Sequence, residues 1–166
     1  MSQIFLSFLQ VVLVSLIINM SLFAVASWKQ TDKLTDLAYG SSFFAAVVFL
    51  AVTSYQTLHV PALFFVLFVV LWSVRLTSYL FYRIRKIKKD DRFDGIRESV
   101  LSFFKFWFLQ SIAVAVILLP TILVITKNPG NVSFLFWLGL CVSIFGLTYE
   151  SIADWQKFTF KSKKSN

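Results

Sequence analysis

Arg75 lies inside an otherwise apolar run, Val60 to Tyr82, that is long enough to cross a lipid bilayer. A guanidinium group is costly to place in lipid, so such an arginine either leans toward the nearer membrane surface or faces a polar interior. Arg83 and Arg85 follow directly after the run. Because guanidinium groups bind phosphate oxygens well, this end of the run indicates a site for a phosphate-bearing ligand.

Two sets of polar residues have the spacing of a single helix face. Tyr79 follows Arg75 by four residues, and Glu150, Asp154 and Lys161 are spaced i, i+4 and i+11. Residues at these spacings lie on one face of an α-helix. The sequence therefore predicts two helices that each present a row of polar groups.

The composition is that of a multi-pass integral membrane protein. Of the 166 residues, 58% are hydrophobic and 20 are Phe, and the mean hydropathy is +0.77. The apolar residues form five runs near the length of a membrane-spanning helix, at 4–26, 39–55, 60–82, 103–126 and 132–152. Because the runs lack the alternation of a β-barrel, we expect one all-α domain over 1–166, a transmembrane bundle of about five helices.

The basic residues indicate the orientation of this bundle. Fourteen of the 16 Lys and Arg lie in the segments 27–38, 83–105 and 153–166, which face one side if all five runs span. The positive-inside rule then predicts an external N-terminus and a cytosolic C-terminus. The net charge of +8 thus reflects orientation and attraction to the lipid bilayer, and nucleic acid is not an expected partner.

Residue usage argues against two kinds of cofactor site. Cys141 is the single cysteine and His59 the single histidine, so no metal site of ordinary ligand type is expected. The five glycines are scattered and form no Walker or Rossmann signature. A nucleotide site in this chain would therefore be of another kind.

Five polar residues lie near the predicted cytosolic surface. Asn19, Arg75 and Gln110 are each seven residues inside the cytosolic end of their run, which is about 10 Å along a helix. Asp36 and Glu150 lie near the same surface. The grouping suggests a polar cavity open to the cytosol, with Arg75 paired to Glu150 or Asp36. The alternative is that Asn19 and Gln110 form ordinary interhelical hydrogen bonds.

Several segments resemble one known family. They are DLAYGSSF from Asp36, LWSVRLTSYL from Leu71, DRFDGIRE from Asp91, FLQS from Phe108 and ESIADWQKFTFKSK from Glu150. In this order they resemble the steroid 5α-reductase-like family, including its branch of uncharacterised membrane proteins. The resemblance implies an NADPH-dependent oxidoreductase of lipid metabolism that saturates a double bond of a lipid-like or steroid-like substrate.

The resemblance also implies roles for individual residues. Arg83 and Arg85 would contact the cofactor phosphates, and Glu150, Asp154 and Lys161 would line the nucleotide end, although relatives carry Asn where this chain has Glu150. Candidates for the substrate end are Asp36, Tyr39 and Tyr79.

The chain departs from the family pattern at its C-terminal end. The family continues with a Gly-aromatic stretch and a Tyr-Ser-Arg-His-Pro-Asn-Tyr type motif, whereas this sequence ends at Asn166. We therefore expect a fragment that is inactive alone. Two other readings stay open at this point, an isoprenylcysteine methyltransferase-like enzyme that uses S-adenosylmethionine and a non-enzymatic helical membrane protein.

The predicted orientation can be checked by labelling single cysteines in intact cells. In a Cys141→Ser background, Asn131→Cys should react with a membrane-impermeant maleimide, whereas Lys88→Cys and Ser165→Cys should react only after permeabilisation. The reverse labelling pattern would contradict the orientation.

Overall fold

The structure is a computed structural model that describes residues 2–86, 93–96, 98–127 and 133–164. These residues form six α-helices and one 3₁₀ turn, with no strand among them. The helices are α1 (Gln3–Trp28), α2 (Thr35–Thr53), α3 (Val60–Lys86), α4 (Val100–Ile117), α5 (Leu119–Lys127) and α6 (Phe134–Lys164). All except α5 are long and apolar enough to cross a membrane. The predicted helical membrane bundle with five spans is confirmed; its orientation stays a prediction.

The fourth apolar run is one predicted span but two helices. It divides at Leu118, between α4 and α5, because Pro120 lacks a backbone N–H and its ring would clash with the carbonyl group of Val116. Hydrogen bonds still flank the break, from Leu118 N to Val114 O and from Ile122 N to Leu118 O. The backbone thus stays hydrogen-bonded on both sides of the break, as lipid requires.

The chain divides into two compact units, 1–129 and 130–166. In the first unit, α2 has the largest buried share of any span. Its buried side chains include Phe43, Val47 and Leu50, and α1, α3, α4 and α5 all contact it. The shortest of the five apolar runs, 39–55, therefore contributes the central helix of this unit.

The second unit consists of α6. This helix has 31 residues, which corresponds to about 46 Å, longer than the roughly 30 Å hydrocarbon core of a bilayer. Its N-terminal part is apolar on all sides, and large side chains such as Phe145 and Trp155 are exposed. Such a surface is suited to lipid.

A glycine sets the distance between α2 and α3. A Cβ atom added to Gly40 would lie 2.1 Å from Thr77 Oγ1 and 3.1 Å from Thr77 Cα. Small residues at helix contacts let two backbones approach closely, and in a membrane this van der Waals packing is a main source of helix association. Gly40 therefore permits the close approach of α2 to α3.

Gly40→Ala should lower the thermal stability of the detergent-solubilised protein, because overpacking of this kind costs about 1–3 kcal/mol. Thr77→Ala should recover part of the loss, since it removes the nearest atom. The matched control is Gly139→Ala in α6, where the added Cβ has nothing within 4 Å. Equal effects of the two glycine substitutions would show that the α2–α3 spacing is not the cause.

Candidate functional site

A buried cluster of polar side chains joins α1, α2 and α4. Asn19 on α1 is fully buried, and its Nδ2 atom donates to Ser42 Oγ on α2 at 2.9 Å and to Ser15 O at 2.9 Å. The Ser42 hydroxyl in turn donates to Ala38 O at 2.7 Å. Asn19 thus connects two helices through groups that would otherwise be costly to bury.

Gln110 on α4 completes the cluster. Its Nε2 atom donates to Asn19 Oδ1 at 3.0 Å and to Thr35 O at 3.2 Å. Thr35 is the first residue of α2, so one amide group links the start of that helix to α1 and α4. These bonds use both donors of the Gln110 amide and the carbonyl of Asn19.

The cluster bears directly on the expected polar cavity. Asn19 and Gln110 do meet at one depth, as their positions predict, but they hydrogen-bond to each other, which is the packing alternative. The expected pairing of Arg75 with Glu150 or Asp36 stays a prediction. The side chain of Arg75 is half-buried on α3. Its Nε and Nη2 atoms are buried.

An ion pair joins α2 and α3 at their basic end. Asp36 lies in the first turn of α2, within the helix and not just before it as the sequence suggests. Its Oδ2 atom accepts a hydrogen bond from Arg83 Nη2. The two side chains are only 22% and 20% exposed. The structure thus brings together one residue expected at the substrate end and one expected at the cofactor phosphates.

Arg85 does not share the surroundings of Arg83. Its side chain is exposed, and its guanidinium carbon lies 4.4 Å from the centre of the Phe81 ring. This is the geometry of a cation–π contact. The two arginines that the sequence groups together therefore lie on different sides of α3.

The aromatic candidates are half-buried. Tyr39 contacts Phe43 edge to face with ring centres 4.9 Å apart, and Phe43 contacts Trp72 on α3 at the same separation. Tyr79 is also half-buried on α3. Tyr39 is one turn from Asp36, so these two substrate-end candidates lie on the same side of α2.

The remaining candidates lie on α6. Glu150 and Asp154 are half-buried and one turn apart, which confirms their helical spacing. Lys161 belongs to the same helix, but its side chain is outside the part that the structure describes. The same holds for residues 91, 92 and 97 of the DRFDGIRE segment.

Sequence reasoning missed the smaller members of the cluster. Ser15, Thr35 and Ser42 are buried hydroxyl residues, and each looks like ordinary helix composition when taken alone. A signal was present in α1, where Val11, Ser15 and Asn19 recur every four residues and form its buried stripe. Small polar residues on the interior stripe of a membrane helix typically mark a helix contact.

The Asn19–Gln110 hydrogen bond should be measurable as a coupling between variants. Asn19→Ala and Gln110→Ala should each lower thermal stability in detergent, because each leaves buried polar groups without a partner, a cost of about 1–3 kcal/mol. The double variant should lose less than the sum. Ser21→Ala is the control, since the exposed Ser21 hydroxyl bonds only to its own helix at Ile17 O. Strict additivity would refute the coupling.

Among the described residues, no group of three or more His, Cys, Asp and Glu is placed to hold a metal ion.

Comparison with known proteins adds one match. No curated protein and no solved structure matches the chain. A family described as protein of unknown function, DUF1295, matches residues 22–166, and its members are uncharacterised membrane proteins related to steroid 5α-reductase. Since the match covers most of a chain that also has the helices of a membrane protein, this protein belongs to the DUF1295 family.

Proposed function

We propose that this chain forms the membrane portion of an NADPH-dependent reductase acting on a double bond of a lipid-like substrate. The observation that carries the proposal is the Asp36–Arg83 ion pair between α2 and α3. It holds a guanidinium group at the predicted cytosolic end of a lipid-embedded bundle. The family match supports the same class of activity through its relation to steroid 5α-reductase.

Arg83 has the chemistry that a cofactor phosphate requires. A guanidinium has five N–H donors in a fixed plane, and the bond to Asp36 occupies one nitrogen. The carboxylate fixes the orientation of the plane while other donors can bind phosphate oxygens. Partial burial of both groups lowers solvent screening and strengthens such charge-assisted hydrogen bonds.

On α6, the family resemblance assigns Glu150, Asp154 and Lys161 to the nucleotide end of the cofactor. Carboxylates accept hydrogen bonds from ribose hydroxyl groups, and an ammonium group attracts phosphate. These assignments derive from the resemblance of the ESIADWQKFTFKSK segment to the family pattern.

Saturation of a carbon–carbon double bond adds a hydride to one carbon and a proton to the other. NADPH, when bound, supplies the hydride. The chain must therefore orient the substrate, exclude water and provide the proton. Tyr39 and Tyr79 carry phenol hydroxyl groups on the two helices that the Asp36–Arg83 pair joins, and both are half-buried. Tyr39 and Tyr79 are therefore the candidates for donating this proton to the substrate.

The proposal is tested by titrating the protein in lipid nanodiscs with NADPH, by calorimetry. Arg83→Gln should weaken binding about tenfold or more, because a hydrogen bond to a charged group contributes about 1.5–3 kcal/mol. Asp36→Asn should weaken it less, because it loosens the guanidinium without removing it. The control is Lys105→Gln, which removes an exposed positive charge from α4.

Three results would contradict the proposal. An equal loss in the Lys105 control would indicate nonspecific attraction of the nucleotide. Tight binding of S-adenosylmethionine in place of NADPH would move the assignment to methyl transfer. Binding of neither compound, even by a chain extended with the C-terminal segment of the family pattern, would favour the non-enzymatic interpretation. Ratios between variants are compared, so a low absolute affinity does not obscure the outcome.

A further inference from the structure

On the first unit, one side of α3 is exposed along the whole helix. Its exposed residues recur every three or four positions, which describes a single stripe. They are Leu63, Leu67, Leu71, Val74, Ser78, Phe81 and Arg85. The opposite side, with Ser73, Thr77 and Leu80, packs toward the interior. Apart from Ser78, the exposed stripe is apolar until its last residue.

Arg85 closes this stripe at the depth of the lipid headgroups. From Leu63 to Arg85 the helix rises about 33 Å, close to the roughly 30 Å thickness of the hydrocarbon core. The guanidinium carbon lies 4.4 Å from the centre of the Phe81 ring, a contact that reduces the freedom of a long side chain, and the Arg85 side chain is exposed. The N–H donors of Arg85 are therefore placed where lipid phosphates lie.

The same end of the first unit carries further pairs of this kind. Trp28 is 84% exposed and is followed by exposed Lys29, and exposed Phe104 is followed by exposed Lys105. One buried cluster contains Ala26, Ala38 and Phe103, so the end of α1 and the starts of α2 and α4 lie at one level. Aromatic rings beside cations are typical of a membrane interface rich in anionic lipid.

We propose that Arg85 and Phe81 form a binding site for the phosphate headgroup of an anionic phospholipid. Arg83, two residues earlier, is turned inward to Asp36 and takes no part in it. The two neighbouring arginines then have different partners: Arg85 binds a phospholipid headgroup, and Arg83 pairs with Asp36. This proposal does not depend on the reductase proposal.

The test is a titration of the detergent-purified protein with phosphatidylglycerol, followed by native mass spectrometry, with phosphatidylcholine as the neutral lipid. Arg85→Gln should weaken phosphatidylglycerol binding about fivefold, as expected for one basic residue near an anionic surface. Arg85→Lys should keep most of the affinity, and Phe81→Leu should weaken binding by about twofold to fivefold, as expected for a cation–π contact. Arg83→Gln should weaken phosphatidylglycerol binding by less than Arg85→Gln or Phe81→Leu does.

Each other outcome would overturn the proposal. Equal losses for Arg83→Gln and Arg85→Gln would show a diffuse charge effect, and equal binding of phosphatidylcholine would remove the headgroup specificity. Displacement of phosphatidylglycerol by NADPH or inorganic phosphate would show that Arg85 binds the phosphate of a soluble ligand. If Arg85→Gln is poorly folded by circular dichroism, the Arg85→Lys and Phe81→Leu pair decides the question, because both variants keep the charge.

Discussion

The hydrogen bonds around Asn19 and Gln110 are the interaction on which the first unit depends. Lipid offers no alternative partner for an amide group, so each amide must be satisfied within the bundle. The observed bonds can form only if α1, α2 and α4 adopt one rotation and one depth. Apolar side chains could pack in several registers, whereas this cluster permits a single one. It therefore specifies the arrangement more than it adds to the total stability.

The central position of α2 follows from the same requirement. A helix surrounded by other helices needs small and polar residues, which reduce its hydropathy below that of its neighbours. Gly40 contacts α3, Ser42 bonds to α1, and the Thr35 carbonyl group bonds to α4. The small and polar residues that lower the hydropathy of α2 are thus the same residues that make its contacts with the surrounding helices.

The fold class could be predicted from the sequence because long apolar runs have few alternatives in lipid. The five spans and the common depth of Asn19 and Gln110 followed from counting residues. The direction of each side chain did not, because counting gives depth but not the neighbour across a helix contact. Asn19 and Gln110 illustrate the limit, since their predicted depths agree but only the structure shows that they hydrogen-bond to each other. Pro120 could have indicated the division between α4 and α5, but the apolar residues continue through it and suggest a single span.

The two arginines at the end of α3 show how helix periodicity separates neighbours that a motif joins. Two residues correspond to about 200° of rotation, so residues i and i+2 cannot face the same ligand on a regular helix. Arg83 meets Asp36 on one side, and Arg85 meets Phe81 on another. One arginine of this pair is therefore bound inside the bundle, whereas the other is exposed. In this chain Arg83 turns inward because its guanidinium pairs with Asp36, which lies one turn before Gly40, where α2 and α3 approach closely.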